Sequence, residues 1–337
     1  MRVTLKDIAD AAGVSIMTVS NVINGRHARV SAETTARIQR IVGQLGYVPN
    51  GQARSLAAQT SQLIGLLVPA GHGSLAITPH HAEFLGQAER QLRRHGYHLM
   101  LRGIAEPREV AEALRSWSLD GAILLGFLDE DIDRLDRRTI GSIPVLAIDS
   151  YSANPLTIGV RSDDVTGARL AAEHLLSLGH KNIVFAGPTV HNAGVVHERF
   201  LGFQQALHQA GIPDPAVETA DTTHADGVTL GRRLLDTHPH ATAVFATADI
   251  LAIGIMEGLT EAGVPVPQRV SVVGFDNLDI SSYTTPKLTT VAQDITGKAV
   301  EAVTRLLAIA ENGEHPSAPA VLDVELISRM STAAAAS

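Results

Sequence analysis

The stretch TLKDIADAAGVSIMTVSNVING, residues 4 to 25, reads as two short helices joined by a turn. Leu5, Ile8, Ala9 and Ala12 recur at helical spacing along one face of the first. Gly13 closes that helix, because the left-handed conformation of a helix end favours a residue without a Cβ. Val14 then enters the core, Ser15 suits the N-cap of the second helix, and Val19, Val22 and Ile23 supply its buried side. A third helix is expected after Ser31, running through Ile38, Ile41 and Leu45 to Gly46. Three helices at this spacing form the support that lets the second lie in a DNA major groove. A small helical packing domain would account for the apolar residues equally well, but not for Ser15, Thr18, Ser20, Asn21 and Asn24 together on the opposite face.

Charge divides at the same place. The 337 residues carry a net −8, yet residues 1 to 62 are at +4 and the remainder at −12. A basic head attracts phosphate while an acidic body is repelled from nonspecific DNA. With 45% hydrophobic and 18% charged residues the chain can bury a large core and hold two or three domains. The absence of cysteine excludes disulfides and thiolate metal sites. Neither a signal-type segment nor a run of eighteen apolar residues occurs, so a cytoplasmic protein without a membrane segment is expected.

Residues 47 to 61 form a linker in which Pro49 ends one segment, Asn50 caps the next, and GQARSLAAQ is a short helix made marginal by its length and Gly51. From Gln62 onward short apolar strands alternate with helices. Strands are predicted at 63–69, 97–102, 121–126, 144–148, 182–187, 242–247 and 270–275, and an amphipathic helix at 294–310 shows Ile295, Ala299, Val303, Leu306 and Ala310 on one face. This alternation implies an α/β body of two doubly wound parallel sheets.

Three blocks carry a resemblance: T-L-K-D-I-A-x-x-A-G-V-S from Thr4, S-x-x-T-V-S-x-V-x-N over Ser15 to Asn24, and Y-x-P-N-x-x-A-R-x-L over Tyr47 to Leu56. In this order and spacing they resemble the LacI/GalR (lactose-repressor) family of bacterial transcription regulators. Body segments at Asp163–Gly187, Glu198–Ile212, Ser271–Asn277 and Pro286–Gln293 extend the similarity over nearly the whole chain. The resemblance implies a helix-turn-helix head (1–46), a hinge (47–61) and a periplasmic-binding-protein-like body (62–330). The body would have an N-subdomain of about 62–160 plus 292–322 and a C-subdomain of about 161–290 plus 323–330. A disordered tail, 331–337, would come last. It also implies a homodimer on pseudo-palindromic operator DNA, most often as a repressor. The apolar heptads that build tetramers are absent after Ile327.

For the head, the resemblance places Ile16, Met17 and Asn21 at base edges. Relatives often carry Arg at the third position, so Asn21 departs from that pattern and suits an adenine edge, while Ile16 and Met17 offer apolar contact. The bland alternative for Ile16 and Met17 is ordinary core. Thr4, Ser15, Thr18, Ser20, Asn24 and Ser31 suit phosphate oxygens, and Arg29 adds a charged contact. Tyr47, Asn50, Ala53 and Leu56 complete the DNA-binding set, with Leu56 as an apolar wedge in the central base step.

For the body, the family's effector positions fall on Asp149, Arg199 and Asp276, a trio suited to a polyhydroxylated ligand such as a sugar. Phe127, Tyr151 and Phe275 are candidates to stack on it, and His72, His80, His191 and His197 are expected in loops facing the cleft. Asp163, Asp164 and Asp249 read as helix caps, and Trp117 as core. Ala248 stands where relatives often carry Asn. Gly71-His-Gly-Ser-Leu-Ala76 formally matches a dinucleotide fingerprint, but Pro79 keeps its glycines from opening directly onto a helix and Glu89 sits in a predicted helix. Neither His80, His81 and Glu83 nor His191 and His197 have metal-ligand spacing. No catalytic residue, cofactor or metal is therefore expected. A solute-binding module without regulation is the chief rival, and an enzyme of nucleoside or sugar chemistry the next.

Overall fold

The computed structural model describes residues 3–25, 30–47, 60–71, 74–75, 78–106, 108–191, 193–313, 316 and 318–335. Met1–Ser61 and Gln62–Ser337 are separate units. In the first, α1 (Leu5–Ala12), α2 (Ile16–Ile23) and α3 (Ala32–Leu45) each begin where a hydroxyl takes up an orphan backbone N–H. Thr4 Oγ1 accepts from the Asp7 amide at 3.3 Å while Asp7 Oδ2 accepts from the Thr4 amide at 2.8 Å, a reciprocal capping box. Ser15 and Ser31 Oγ accept in one direction only, from the Thr18 and Thr34 amides at 3.1 and 3.2 Å. Ile8, Ala9, Ala12, Val19, Val22 and Ile38 form the shared core. Leu45, expected in that core, is 41% exposed, while Ile41, Val42 and Tyr47 pack against the core around it.

The body opens with β1 (Leu63–Gly71), β2 (Ser74–Leu75), α4 (Pro79–Arg94), β3 (His98–Ile104), α5 (Arg108–Ser116) and β4 (Gly121–Leu125). Then come α6 (Asp129–Asp133), α7 (Arg137–Ile140), β5 (Val145–Ile148) and β6 (Thr157–Ser162). The second half holds α8 (Asp164–Ser177), β7 (Ile183–Gly187), α9 (Val195–Gln209), β8 (Ala216–Thr219), α10 (His224–Thr237) and β9 (Ala243–Ala246). It continues through α11 (Asp249–Glu261), β10 (Ser271–Asp276) and β11 (Thr289–Gln293), and the chain closes with α12 (Ile295–Asn312), β12 (Ala320–Leu322) and β13 (Val324–Ile327). Two sheets result. One runs β12-β6-β5-β4-β1-β3, all parallel, with β2 antiparallel on the end of β1; the other runs β13-β11-β10-β9-β7-β8, parallel but for β13. The chain passes between them after Ser162, Gln293 and Leu322.

Helix α12 returns across the second of these passages to complete the first sheet's core, with Ile295, Ala299, Ala302, Val303, Leu306 and Leu307 against Ile64, Leu66 and Ile123. In the other half, α10 and α11 meet through Gly227, Gly231, Gly254 and Gly258. A Cβ built at any of the four overlaps a backbone carbonyl oxygen of the facing helix: Leu251, Ile255, His224 and Val228 respectively. Four glycines thus bring two backbones into contact above a core of Leu230, Leu234, Leu251, Ile255 and Leu259.

Several expectations are corrected. Pro79 does not break the following residues but occupies the first turn of α4, where its missing N–H costs nothing, behind a Thr78 cap, and Gly71 still does not open directly onto that helix. Trp117 is 53% exposed, because Leu114 and Leu119 on either side already fill the core beneath it. Residues 331–335 are not a disordered tail. Ser331 is buried, its Oγ accepting from the Thr289 amide at 2.8 Å and donating to the Val272 carbonyl at 2.6 Å, and the Ala335 amide bonds the Leu178 carbonyl. The predicted strands omit β2, β6, β8, β11, β12 and β13, which are two to four residues long or, like TIGVRS and TTVAQ, lack an unbroken apolar run. Among the described residues no helix is long and apolar enough to cross a membrane.

Candidate functional site

On the head, α2 buries Val19 and Val22 and turns Ile16 and Met17 outward, 48% and 70% exposed. Core packing therefore does not explain these two residues. Asn21 and Thr18 are half-buried on the same helix. Asn24 donates to Ser20 Oγ at 3.3 Å, and the hydroxyls of Thr4 and Ser31 donate to Asp7 and Thr34 at 2.8 and 2.9 Å. Tyr47 packs against the helical core. Arg29, Asn50, Ala53 and Leu56 lie outside the described residues, as does His72.

In the body, the carboxyl ends of β4, β5, β7, β9, β10 and β11 open on one cavity of about 360 Å³ between the two sheets. A crevice at strand ends is where open α/β sheets bind ligands. Asp149 and Asp276 stand at the tips of β5 and β10 with φ of 53° and 125°, a region unfavourable to side chains that is tolerated where surrounding structure enforces it. Arg199 reaches the cavity from α9, and Phe127, His80 and His191 also line it.

Charges here are paired through the walls. Arg199 Nε donates to Asp164 Oδ1 at 2.8 Å and Nη1 to the Thr247 carbonyl at 2.5 Å, while its guanidinium lies 3.6 Å from the centre of the Phe275 ring. Asp164 Oδ2 accepts from Tyr151 Oη at 2.8 Å. Lys298 Nζ donates to Asp149 Oδ1 at 2.5 Å and to Gln293 Oε1 at 2.8 Å, and Gln293 Nε2 donates to Asp276 Oδ1 at 2.7 Å. Behind Asp276, Asp249 takes Thr290 Oγ1 at 2.5 Å and the Leu278 amide at 2.9 Å.

Burial pushes Asp149 up, but the charge and hydrogen bond of Lys298, with Arg199 beyond it, hold it below the ordinary carboxylate range. Burial raises Asp164 despite Arg199, and raises Asp276 against Arg199, Gln293 and Lys298. Asp249 is raised by burial and by the neighbouring charge of Asp276. His80 is pushed down to about 3 by burial and then by Lys298. Its Nε2 lies 3.9 Å from Asp149 Oδ2, but a neutral imidazole at that distance is no salt bridge.

The expectations for six residues change. Phe275 does not stack on a ligand: it is fully buried and carries Arg199 on its face. Tyr151 lies behind the wall, its ring under Arg161 at 4.2 Å and its hydroxyl on Asp164. His197 is half-buried in α9 and off the cavity lining, and His80 belongs to α4, not to a loop. Asp164 and Asp249, read as caps, are buried partners of Arg199 and Thr290; of the three, Asp163 is the one that caps. Lys298 and Gln293 went unnoticed. A lone lysine beside Ile295 and Ala299 on an apolar helix face was the available signal. Among the described residues no group of three or more His, Cys, Asp or Glu is arranged to hold a metal ion.

Comparison with known proteins decides the family. Residues 4–50 match the model of bacterial regulatory proteins of the lacI family, and residues 172–332 that of the periplasmic binding protein-like domain. The HTH-type transcriptional repressor PurR of Mannheimia succiniciproducens is 32% identical over 296 residues, 86% of each chain. The chain belongs to the lacI family. Among solved structures, the Lac repressor dimer bound to operator and the anti-inducer ONPF superposes with a TM-score of 0.87 at 28% identity, covering 99% of this chain and 100% of that one. A LacI family regulator from Enterococcus faecium with bound ribose gives 0.72 at 31% identity, over 81% of this chain and 100% of its own. This lacI-family protein is a DNA-binding transcriptional regulator with an effector-binding body, not an enzyme.

Proposed function

We propose that this protein is a dimeric repressor whose operator affinity is set by a polyhydroxylated small molecule, a sugar or close relative, held in the cleft of the body. One observation carries the ligand class. The carboxyl groups of Asp129, Asp149 and Asp276, the hydroxyl of Thr247 and the guanidinium of Arg199 belong to residues that line the one cavity. Carboxyl groups gathered at strand ends accept hydrogen bonds, so a ligand with several hydroxyls fits this lining. The preponderance of oxygen acceptors asks for hydroxyl donors. A flat nucleobase is less well served, since Phe127 is the one Phe, Tyr or Trp among the described lining residues. The ribose in the Enterococcus faecium regulator supports the same class.

On the DNA side, Ile16, Met17 and Asn21 enter the major groove, Thr4, Ser15, Thr18, Ser20, Asn24, Ser31 and Arg29 hold phosphates, and the hinge with Leu56 wedges the minor groove. The operator-bound Lac repressor dimer supports pairing of two heads on one pseudo-palindromic site. Ligand alters operator affinity by its differential affinity for the two body states, typically about 1–3 kcal/mol, and DNA alters ligand affinity by the same factor. A thermal-shift screen of sugars and nucleobases, followed by fluorescence anisotropy on upstream DNA, tests this. A sugar that both raises the melting temperature and changes operator affinity is expected; binding by nucleobases alone would overturn the ligand class.

A further inference from the structure

Lys298 is fully buried on α12, a helix face otherwise formed by Ile295, Ala299 and Ala302. An ammonium is costly to bury unless fully paired, and here an apolar residue would have continued the face. Its partners lead across the passage between the two sheets. Gln293 Oε1 accepts from Lys298 Nζ at 2.8 Å and from Ser162 Oγ at 2.7 Å, which fixes the amide with its NH₂ toward Asp276. Ser162 and Gln293 are the last residues before the first two passages. A single polarised chain therefore runs from Asp149 on one wall through Lys298 and Gln293 to Asp276 on the other. Both carboxylates sit at positive φ, and both give Oδ1 to this chain.

We propose that Lys298 is a positioning residue for effector recognition: it fixes Asp149 as a charged, acceptor-only group whose Oδ2 must receive a donor from the ligand. The proposal rests on reading the cleft as the effector site. Groups facing Asp149 are Lys298 from α12, His80 from α4, Arg199 from α9, and the carboxylates of Asp164 and Asp276 from the opposite half. Lys298 is the cation bonded to it. With Lys298 gone, burial prevails, and Asp149 takes up a proton that turns an acceptor into a donor. Such a site loses its preference for a ligand hydroxyl over an ether or deoxy position.

The test uses the full chain without ligand. Wild type, Lys298→Met and the double variant Lys298→Met/Asp149→Asn are unfolded with urea between pH 5 and 9. A carboxylate whose folded pKa is raised contributes stability that is lost as pH rises through that value. Lys298→Met should therefore lose folding equilibrium constant with rising pH more steeply than wild type, by up to about tenfold per pH unit. The double variant should take back most of that slope and be the more stable of the two near neutrality. If Lys298→Met does not fold at pH 7 while the double variant does, the proposal is equally supported. A loss that is independent of pH, or a double variant no more stable than Lys298→Met, overturns it, since Lys298 would then act by packing alone. Calorimetry of the wild type with D-ribose keeps the two readings apart: absence of heat counts against that ligand in the cleft, and the urea profiles still decide on Lys298.

Discussion

Substituting alanine for glycine at two helical positions should change stability in opposite directions. At Gly258 in α11 a Cβ overlaps the Val228 carbonyl oxygen and comes within 2.9 Å of the Arg232 nitrogen and 3.0 Å of the Gly231 Cα, all backbone atoms of α10. No rotamer change relieves such a contact. The helices must separate, loosening Leu230, Leu234, Leu251, Ile255 and Leu259 beneath them. Overpacking usually costs about 1–3 kcal/mol, and rigid neighbours put this site at about 3 kcal/mol or above. For a body of this size that is roughly 6–12 °C in melting temperature, at about 2–4 °C per kcal/mol. Gly86, exposed in the middle of α4, has nothing within 4 Å of a built Cβ. There alanine removes backbone freedom from the unfolded chain and adds about 0.5–1 kcal/mol of stability. Differential scanning calorimetry of the two variants beside wild type measures both. A Gly258→Ala protein melting within about 2 °C of wild type would refute the backbone-contact account of this helix pair.

Three other outcomes are expected of the site. His80 is neutral in the fold down to about pH 3 but protonates near 6.5 when unfolded, so its contribution is present above 6.5 and lost as pH falls. His80→Gln should flatten the acid limb of urea stability relative to wild type by up to about 1.4 kcal/mol per pH unit, and parallel profiles would count against it. Arg199→Met strands Asp164 in the interior and should destabilise the body by about 3–5 kcal/mol in urea, making it a folding variant and not a clean ligand-blind one. Met17→Ala should cost about 1–3 kcal/mol on the native operator and relax specificity at one position per half-site, with the salt slope unchanged because no charge is lost. Identical sequence profiles for Met17→Ala and wild type would remove Met17 from the base-reading set.

What the sequence discloses depends on how local its signals are. Caps at Thr4, Ser15 and Ser31 and the apolar strands β1, β4, β7 and β10 are written in neighbouring residues, so helices and buried strands are legible. The resemblance points to Asp149, Arg199 and Asp276, and all three line one cavity. What escaped is non-local. The pairing of Lys298 with Asp149 spans 149 residues and that of Ser162 with Gln293 spans 131, distances over which spacing carries no information. Phe275 and Tyr151 failed for a related reason: an aromatic near a strand end can face the cleft or lie behind its wall, and the register that decides between them belongs to the folded sheet.

The three passages between the sheets bear on the order in which the protein can be made. Residues through Ser162 emerge from the ribosome before the second sheet exists, yet the first core still lacks α12 and the edge strand β12, the latter reached only at Ala320–Leu322. The second half holds β7 to β11 by Gln293, but its edge strand β13 and the Ser331 anchor come last of all. Domains generally fold as units during synthesis, N-terminal first, and neither half of this body is contiguous in sequence. Here the first half waits for Ala320–Leu322 and the second for Val324–Ile327 and Ser331, so a stop codon between Gln293 and Ala320 leaves both halves unfinished at once.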